Sequence, residues 1–385
     1  MKLKECSLLF TDGNWIESKD QSDSGLRLIQ TGNVGNGKYL EKAERAKYIS
    51  EETFARLKCT EIFQGDILIS RLPEPVGRAC VIPEKEERMI TAVDCTILRV
   101  DEKIVDKRYL LHFLKSQVYY RNLCSKLAGT TRVRISRKNL EQIEIPIPDR
   151  VTQVNVGNVL DCIEKIIDQR KVQIELLDNL ITSRFIEMFG NPSTNSKGWI
   201  KKKLSDECDI VTGNTPSRQV SEYYGDYIEW IKSDNINTPS ATITKATEYL
   251  SEAGLSVARS VEAGSILMTC IAGSIKCIGN VAITDRKVSF NQQINGIVPR
   301  KNNTWFIYEQ FELSKPYIQS TINMSLKGIL SKGQLSEIEF VFPPTDLQNE
   351  FGVFAQQVDN LKVEVQKSLD ETQQLFDSLM QQYFD

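Results

Sequence analysis

Histidine is almost absent: the 385 residues contain one, His112. It stands in the apolar run Leu110-Leu111-His112-Phe113-Leu114, where packing is its expected role. Ser-His and Cys-His nucleophile systems and histidine-based metal sites therefore have almost nothing to draw on. The nine cysteines are scattered singly at 6, 59, 80, 95, 124, 162, 208, 270 and 277. Their odd number and spacing give neither a disulfide framework nor a zinc site, and reduced thiols in the cytoplasm are expected. No apolar run approaches the roughly 18 residues of a membrane span, and the first residues carry no signal-peptide core, so no membrane contact is expected. Residues 32–37 hold three glycines but not in the G-x-G-x-x-G order, and they read as a turn. No catalytic constellation and no metal site remain. The chain reads as non-enzymatic, with no cofactor of its own.

What is present is a repetition. Ile135-Ser136-Arg137-Lys138-Asn139-Leu140-Glu141-Gln142-Ile143 matches Leu330-Ser331-Lys332-Gly333-Gln334-Leu335-Ser336-Glu337-Ile338 at an offset of 195. The same offset continues without a gap, pairing Gln153 with Gln348, Gly157 with Gly352, Ile163 with Val358 and Phe189 with Phe384. Fainter matches set residues 3–14 against 204–214, 28–34 against 230–236 and 64–70 against 263–269. A period this long excludes solenoids and propellers, whose repeats run about 20 to 50 residues. The order is globule, helix, globule, helix, with boundaries at 1–149, 150–190, 191–345 and 346–385.

Within the globules, short β-branched runs at 66–70, 79–82, 96–100 and 143–147 read as strands, while 107–127 and 306–322 carry helical spacing. An α+β fold follows for each. The two segments that close the repeats have seams with steps of three and four. The first runs through Val156, Leu160, Ile163, Ile167, Ile174, Leu177 and Ile181; the second through Phe351, Val358, Val365, Leu369, Phe376 and Leu379. Gly190-Asn191-Pro192 stops the first, and Thr345-Asp346-Leu347-Gln348 reads as a capping box for the second. At a rise of 1.5 Å, about 38 residues make a rod of roughly 57 Å, longer than a small domain is wide. The two seams are expected to bury each other as an antiparallel coiled coil.

The net charge of −3 divides unevenly: +4 over residues 1–150, −2 over 151–189, +1 over 190–345 and −6 over 346–385. A polyanion is thus expected to meet the globules rather than the helices.

Two variable globules, each followed by the Ile/Leu-Ser-x-x-x-Leu-x-x-Ile lead-in and a long helix, resemble the specificity subunit of type I restriction-modification systems. That resemblance implies two target-recognition domains, each reading half of a bipartite, asymmetric site in double-stranded DNA. It implies that the paired helices set the spacing of the halves and dock two modification (methyltransferase) subunits. S-adenosylmethionine, ATP and Mg2+ chemistry then belongs to those partners and to restriction/translocase subunits. With the first globule starting at Met1, both spacer helices are expected to follow their globules. A specificity subunit of a methyltransferase-nuclease system without translocation, and a protein scaffold with a coiled-coil spacer, fit the same layout.

Side chains able to reach base edges or phosphates cluster in a few loops. In the first globule these are Arg71, Arg78, Thr130, Thr131, Arg132 and Arg134. In the second they are Thr269, Ser274, Lys276, Asn291, Gln292, Gln293 and Lys327.

Overall fold

In a computed structural model of the chain, which describes every residue except 130–132, 321 and 323–327, the repetition reappears as topology. The chain forms two compact units, one of residues 1–169 with 369–385 and one of residues 170–368.

In the first unit an antiparallel sheet has the order Ser7–Asp12, Cys95–Val100, Ile67–Ser70, Ala79–Val81. In the second the order is Cys208–Thr212, Ile294–Pro299, Ile266–Thr269, Val281–Ile283. A second sheet accompanies each, built on a central parallel pair: Leu26–Ile29 beside Met89–Thr91, and Tyr224–Ile231 beside Val288–Phe290. The inner strands explain the two layers. Ile67 and Ile69 face one core cluster and Leu68 another, as Ile266 and Met268 face one and Leu267 another. All six are fully buried, as expected of β-branched and aliphatic runs covered on both faces. Gly65 and Gly264, with φ of 85° and 84°, make the left-handed turn into these strands.

The helical stretch expected over 107–127 divides into Lys107–Phe113 and Gln117–Cys124, because the Ser116 hydroxyl accepts from the Tyr119 N–H at 3.2 Å and opens a new helix. Its counterpart is the single helix Thr304–Ser320. The strand expected over 143–147 is reduced to one bridge between Lys2 and Glu144, whereas the second copy forms a strand at Glu339–Val341. In both lead-ins the repeated serine caps a short helix: Ser136 accepts from Asn139 N–H at 3.1 Å and Ser331 from Gln334 N–H at 3.2 Å. Leu140 and Leu335 are buried behind them.

Each closing segment is one 40-residue helix, Arg150–Phe189 and Thr345–Phe384. The first ends as expected, at Gly190 with φ of 77°. Within the second unit the two run antiparallel in contact: Phe185 meets Phe351, Arg184 pairs with Glu350 at 2.9 Å, and Asp178 with Lys362 at 2.5 Å. Within the first unit Val156 and Leu160 share a core with Phe376, Leu379, Met380 and Phe384. The expected capping box does not form around Gln348. Its side chain instead accepts from Asn303 N–H at 3.1 Å and donates to Asn302 Oδ1 and to the Pro343 carbonyl. Gln153 does the same in the first unit, accepting from Asp106 N–H at 2.8 Å and donating to the Pro148 carbonyl. Burial leaves a glutamine no free reach to its own helix terminus, and preceding backbone groups take both ends of its amide.

Candidate nucleic-acid interface

In each unit three segments meet at the end of the inner strand. After Ser70, Arg71 N–H donates to the Asp94 carbonyl at 2.9 Å, and the Arg71 carbonyl accepts from Ile135 N–H at 3.3 Å. That ties the 71–78 loop to the 92–94 turn and to the antiparallel bridge in which Ala128 and Arg134 exchange two 2.9 Å hydrogen bonds. After Thr269, Cys270 repeats the pattern: its N–H donates to the Gln293 carbonyl at 2.8 Å and its carbonyl accepts from Leu330 N–H at 2.8 Å. Ile271–Ala272 then pairs with Gly328–Ile329. The loops singled out in the sequence are therefore neighbours within each unit.

Their side chains divide by exposure. Arg134 is exposed at this bridge. Arg71 is half-buried; its guanidinium donates to the Val93 carbonyl at 2.7 Å and lies 3.4 Å from Asp12. Arg78 is buried, and its guanidinium is spent on the carbonyls of Val34, Leu72, Pro75 and Thr31 at 2.6 to 3.0 Å. Burial also pulls its pKa below the ordinary arginine value. Arg78 thus holds the loop's shape rather than presenting a donor outward. Thr130, Thr131 and Arg132 lie outside the described residues, as does Lys327.

In the second unit Thr269 is buried with its hydroxyl 3.4 Å from Asn237 Oδ1, and Asn291 is buried with Oδ1 accepting from Gln293 N–H at 3.0 Å. Gln293 is half-buried and accepts from Ser233. Gln292 is exposed and accepts from the Thr215 hydroxyl. Ser274 and Lys276 are exposed on the 270–280 loop, where the serine hydroxyl caps the short turn Ile275–Cys277. Arg134, Gln292, Ser274 and Lys276 are thus free to reach a ligand, while Arg78, Thr269 and Asn291 set loop geometry. Cys270 is no nucleophile: burial pushes its thiol up to about 12.

Sequence reasoning missed two pairs of asparagines that frame these loops. Asn33 and Asn235 each accept from the backbone N–H three residues earlier at 3.0 Å, and each donates to a carbonyl further along, Leu40 or Lys245. Asn14 and Asn214 accept from Thr60 N–H at 2.9 Å and Arg259 N–H at 2.8 Å. The signal was there, since the repeat register sets Asn33 opposite Asn235 and Asn14 opposite Asn214.

The comparisons agree with this doubling. The family model for the type I restriction modification DNA specificity domain matches twice, over residues 6–176 and 196–373. The specificity subunit of the type I restriction enzyme HindI from Haemophilus influenzae is 31% identical over 159 residues, 39% of this chain and 33% of that protein. The MjaIX specificity subunit from Methanocaldococcus jannaschii is 26% identical over 172 residues, 43% of this chain and 39% of that one. The matched stretch thus spans between a third and two fifths of these relatives. Among solved structures, the S subunit of a type I restriction-modification system from M. genitalium aligns with a TM-score of 0.65 at 13% identity, over 100% of this chain and 95% of that one. A chain from a study of type I R-M assembly and conformational transition aligns with 0.57 at 15%, over 99% and 96%. At these identities the structures establish the fold.

Proposed function

Because the chain belongs to the family of type I restriction modification DNA specificity domains, we propose that it is the DNA-recognition subunit of a type I restriction-modification complex. Each unit reads one half of a bipartite, asymmetric duplex site. The observation that carries this reading is the repeated junction of three loops at the inner strand's end, with Arg134 exposed in one copy and Gln292, Ser274 and Lys276 in the other. Arginine and glutamine supply the forked donors and acceptors that distinguish base pairs in the major groove, and lysine and serine anchor phosphates.

On this reading the chain contributes recognition and not catalysis. The two long helices pair along their seams as an antiparallel coiled coil, and their flanks receive two modification subunits. S-adenosylmethionine is bound by those subunits, and ATP and Mg2+ by a restriction/translocase subunit. The assembly works on DNA in the cytoplasm. No helix among the described residues is long and apolar enough to cross a membrane.

Selection from random duplex pools by mobility shift, with the chain bound to its co-encoded modification subunit, tests the proposal. Enrichment of two short conserved blocks separated by a fixed stretch of unselected bases is the expected result. Retention of all sequences alike, or of none, contradicts it.

A further inference from the structure

At one place the break in the doubling is chemical. Tyr109 and Phe306 occupy matching positions, each with its ring packed at an angle against the last phenylalanine of a long helix, Phe384 at 5.2 Å and Phe189 at 4.8 Å. Asp106 and Asn303, three residues earlier, each donate a backbone N–H to the repeated glutamine. This register sets His112 opposite Glu309 and Lys115 opposite Glu312. On the long helices Glu164 stands opposite Asp359.

In the first unit both acids of the long helix have partners. His112 Nε2 lies 2.7 Å from Asp161, and Lys115 pairs with Glu164 at 2.5 Å. In the second unit the histidine and the lysine are both replaced by acids. A cavity of about 530 Å3 opens there, lined by Asp178, Glu309, Glu312 and Asp359 with only Lys315 and Lys362 to balance them. Lys362 is committed to Asp178 at 2.5 Å and to the Pro239 carbonyl. Asp359 is 6% exposed, and among the described residues it has no hydrogen bond and no cation within 4 Å. Glu312 has no such partner either. Glu309 is buried and accepts one hydrogen bond, from the Thr182 hydroxyl at 2.8 Å. Thr238 Oγ1 and Asn280 Oδ1, on the same wall, are buried without partners. An isolated carboxylate taken from water is costly unless a cation or donors meet it.

The acceptors are spread rather than convergent. Among the described residues the only set of three or more ligand atoms close enough to share a metal ion is His112, Asp161 and Glu164, in the other unit. A dispersed set of oxygens suits a ligand with several donors in a fixed plane, and two aromatic side chains, Trp305 and Tyr308, complete the lining. Guanidinium has five donors, stacks on aromatic faces and is weakly hydrated compared with ammonium. We propose that this cleft binds a guanidinium group, supplying from outside the cation that Lys115 supplies internally in the other copy. Burial holds Glu309 up at about 7, so the incoming charge also displaces a proton at mildly acidic pH.

Calorimetry of the full chain at constant ionic strength and pH 6.5, with N-acetyl-arginine amide as probe, tests this directly. Saturable one-to-one binding with proton release is expected, weaker for N-acetyl-lysine amide and undetectable for MgCl2. Asp359→Asn and Glu309→Gln, both close in shape to the native residues, should weaken it by about tenfold or more. Glu312→Lys, with folding verified by its thermal transition, should abolish it. A second arm rests on the function proposed above and measures association with the co-encoded modification subunit. Weakening by the same three variants, without binding of the free probe, assigns the guanidinium to an arginine of that subunit. Wild-type chain that fails to assemble at all counts against the functional reading, and the free-probe arm then decides the cleft alone. Equal binding of the lysine probe, or no effect of the variants in either arm, overturns the proposal.

Discussion

Single side chains separate what binds from what supports. Arg134 is exposed, so Arg134→Ala is expected to leave folding intact and weaken DNA binding by the assembled complex. Loss of a base contact costs about 1–3 kcal/mol and relaxes one position of the site, whereas loss of a phosphate contact weakens all sequences and flattens the salt dependence. Unchanged affinity and salt slope would remove Arg134 from the interface. Glu309 makes a different prediction. Burial is the main reason its carboxyl is raised to about 7, with Glu312 and Asp178 adding to the rise while Thr182 and Lys362 oppose it. A carboxyl raised on folding contributes stability fully below its unfolded value, near 4.5, and loses it as pH rises through about 7. Denaturant melts of the second unit's transition should therefore weaken by about 3 kcal/mol between pH 4.5 and 8. Buried Asp359 and half-buried Glu312, also raised, act in the same direction. Glu309→Gln should flatten that slope, and an unchanged slope would refute the assignment. Little of this was legible in the sequence. Arg71 and Arg78 look alike as letters, yet one guanidinium is half-buried and the other is consumed by four carbonyls that only folding brings together.

Secondary-structure elements were more legible, because the 195-residue register is carried by residues with matched mechanical roles. Ser136 and Ser331 cap, Leu140 and Leu335 fill, and Gln153 and Gln348 clamp the preceding loop. The expected seam residues of the long helices are all buried or half-buried. What failed was local inference at the start of the second long helix. Thr345 to Gln348 has the letters of a capping box, but tertiary partners 45 residues away outbid the helix end for the glutamine. The matched glycines differ in strictness. A Cβ at Gly352 would stand 2.3 Å from the Asn303 side chain, which itself caps the Thr304–Ser320 helix by accepting from Trp305 and Phe306. At Gly157 the nearest atom, Arg108 Cβ, is 3.2 Å away. Gly352→Ala should therefore destabilise by about 1–3 kcal/mol and Gly157→Ala by clearly less. Chemical denaturation of both variants checks the order, and equal costs would show that Asn303 yields freely.

At the scale of the whole chain, the duplication was legible and the composition of each unit was not. The second long helix gives Phe376, Leu379, Met380 and Phe384 to the first unit's core, which no count along the sequence reveals. The repeat register places Phe185 opposite Met380 and Phe189 opposite Phe384. A second copy of residues 1–191 can thus offer aromatic side chains where the missing helix stood. Arg170 and Arg184 replace Val365 and Leu379 in that pairing and must reach to its rim, so the substitute dimer is weaker than the intact arrangement. Mapping methylated bases in cells that express the co-encoded modification subunit with either the full chain or residues 1–191 tests the central claim most directly. The account predicts one asymmetric, bipartite motif for the full chain and an inverted repeat of its first half for the fragment. A contiguous, undivided motif, or methylation that does not depend on the chain, would contradict it.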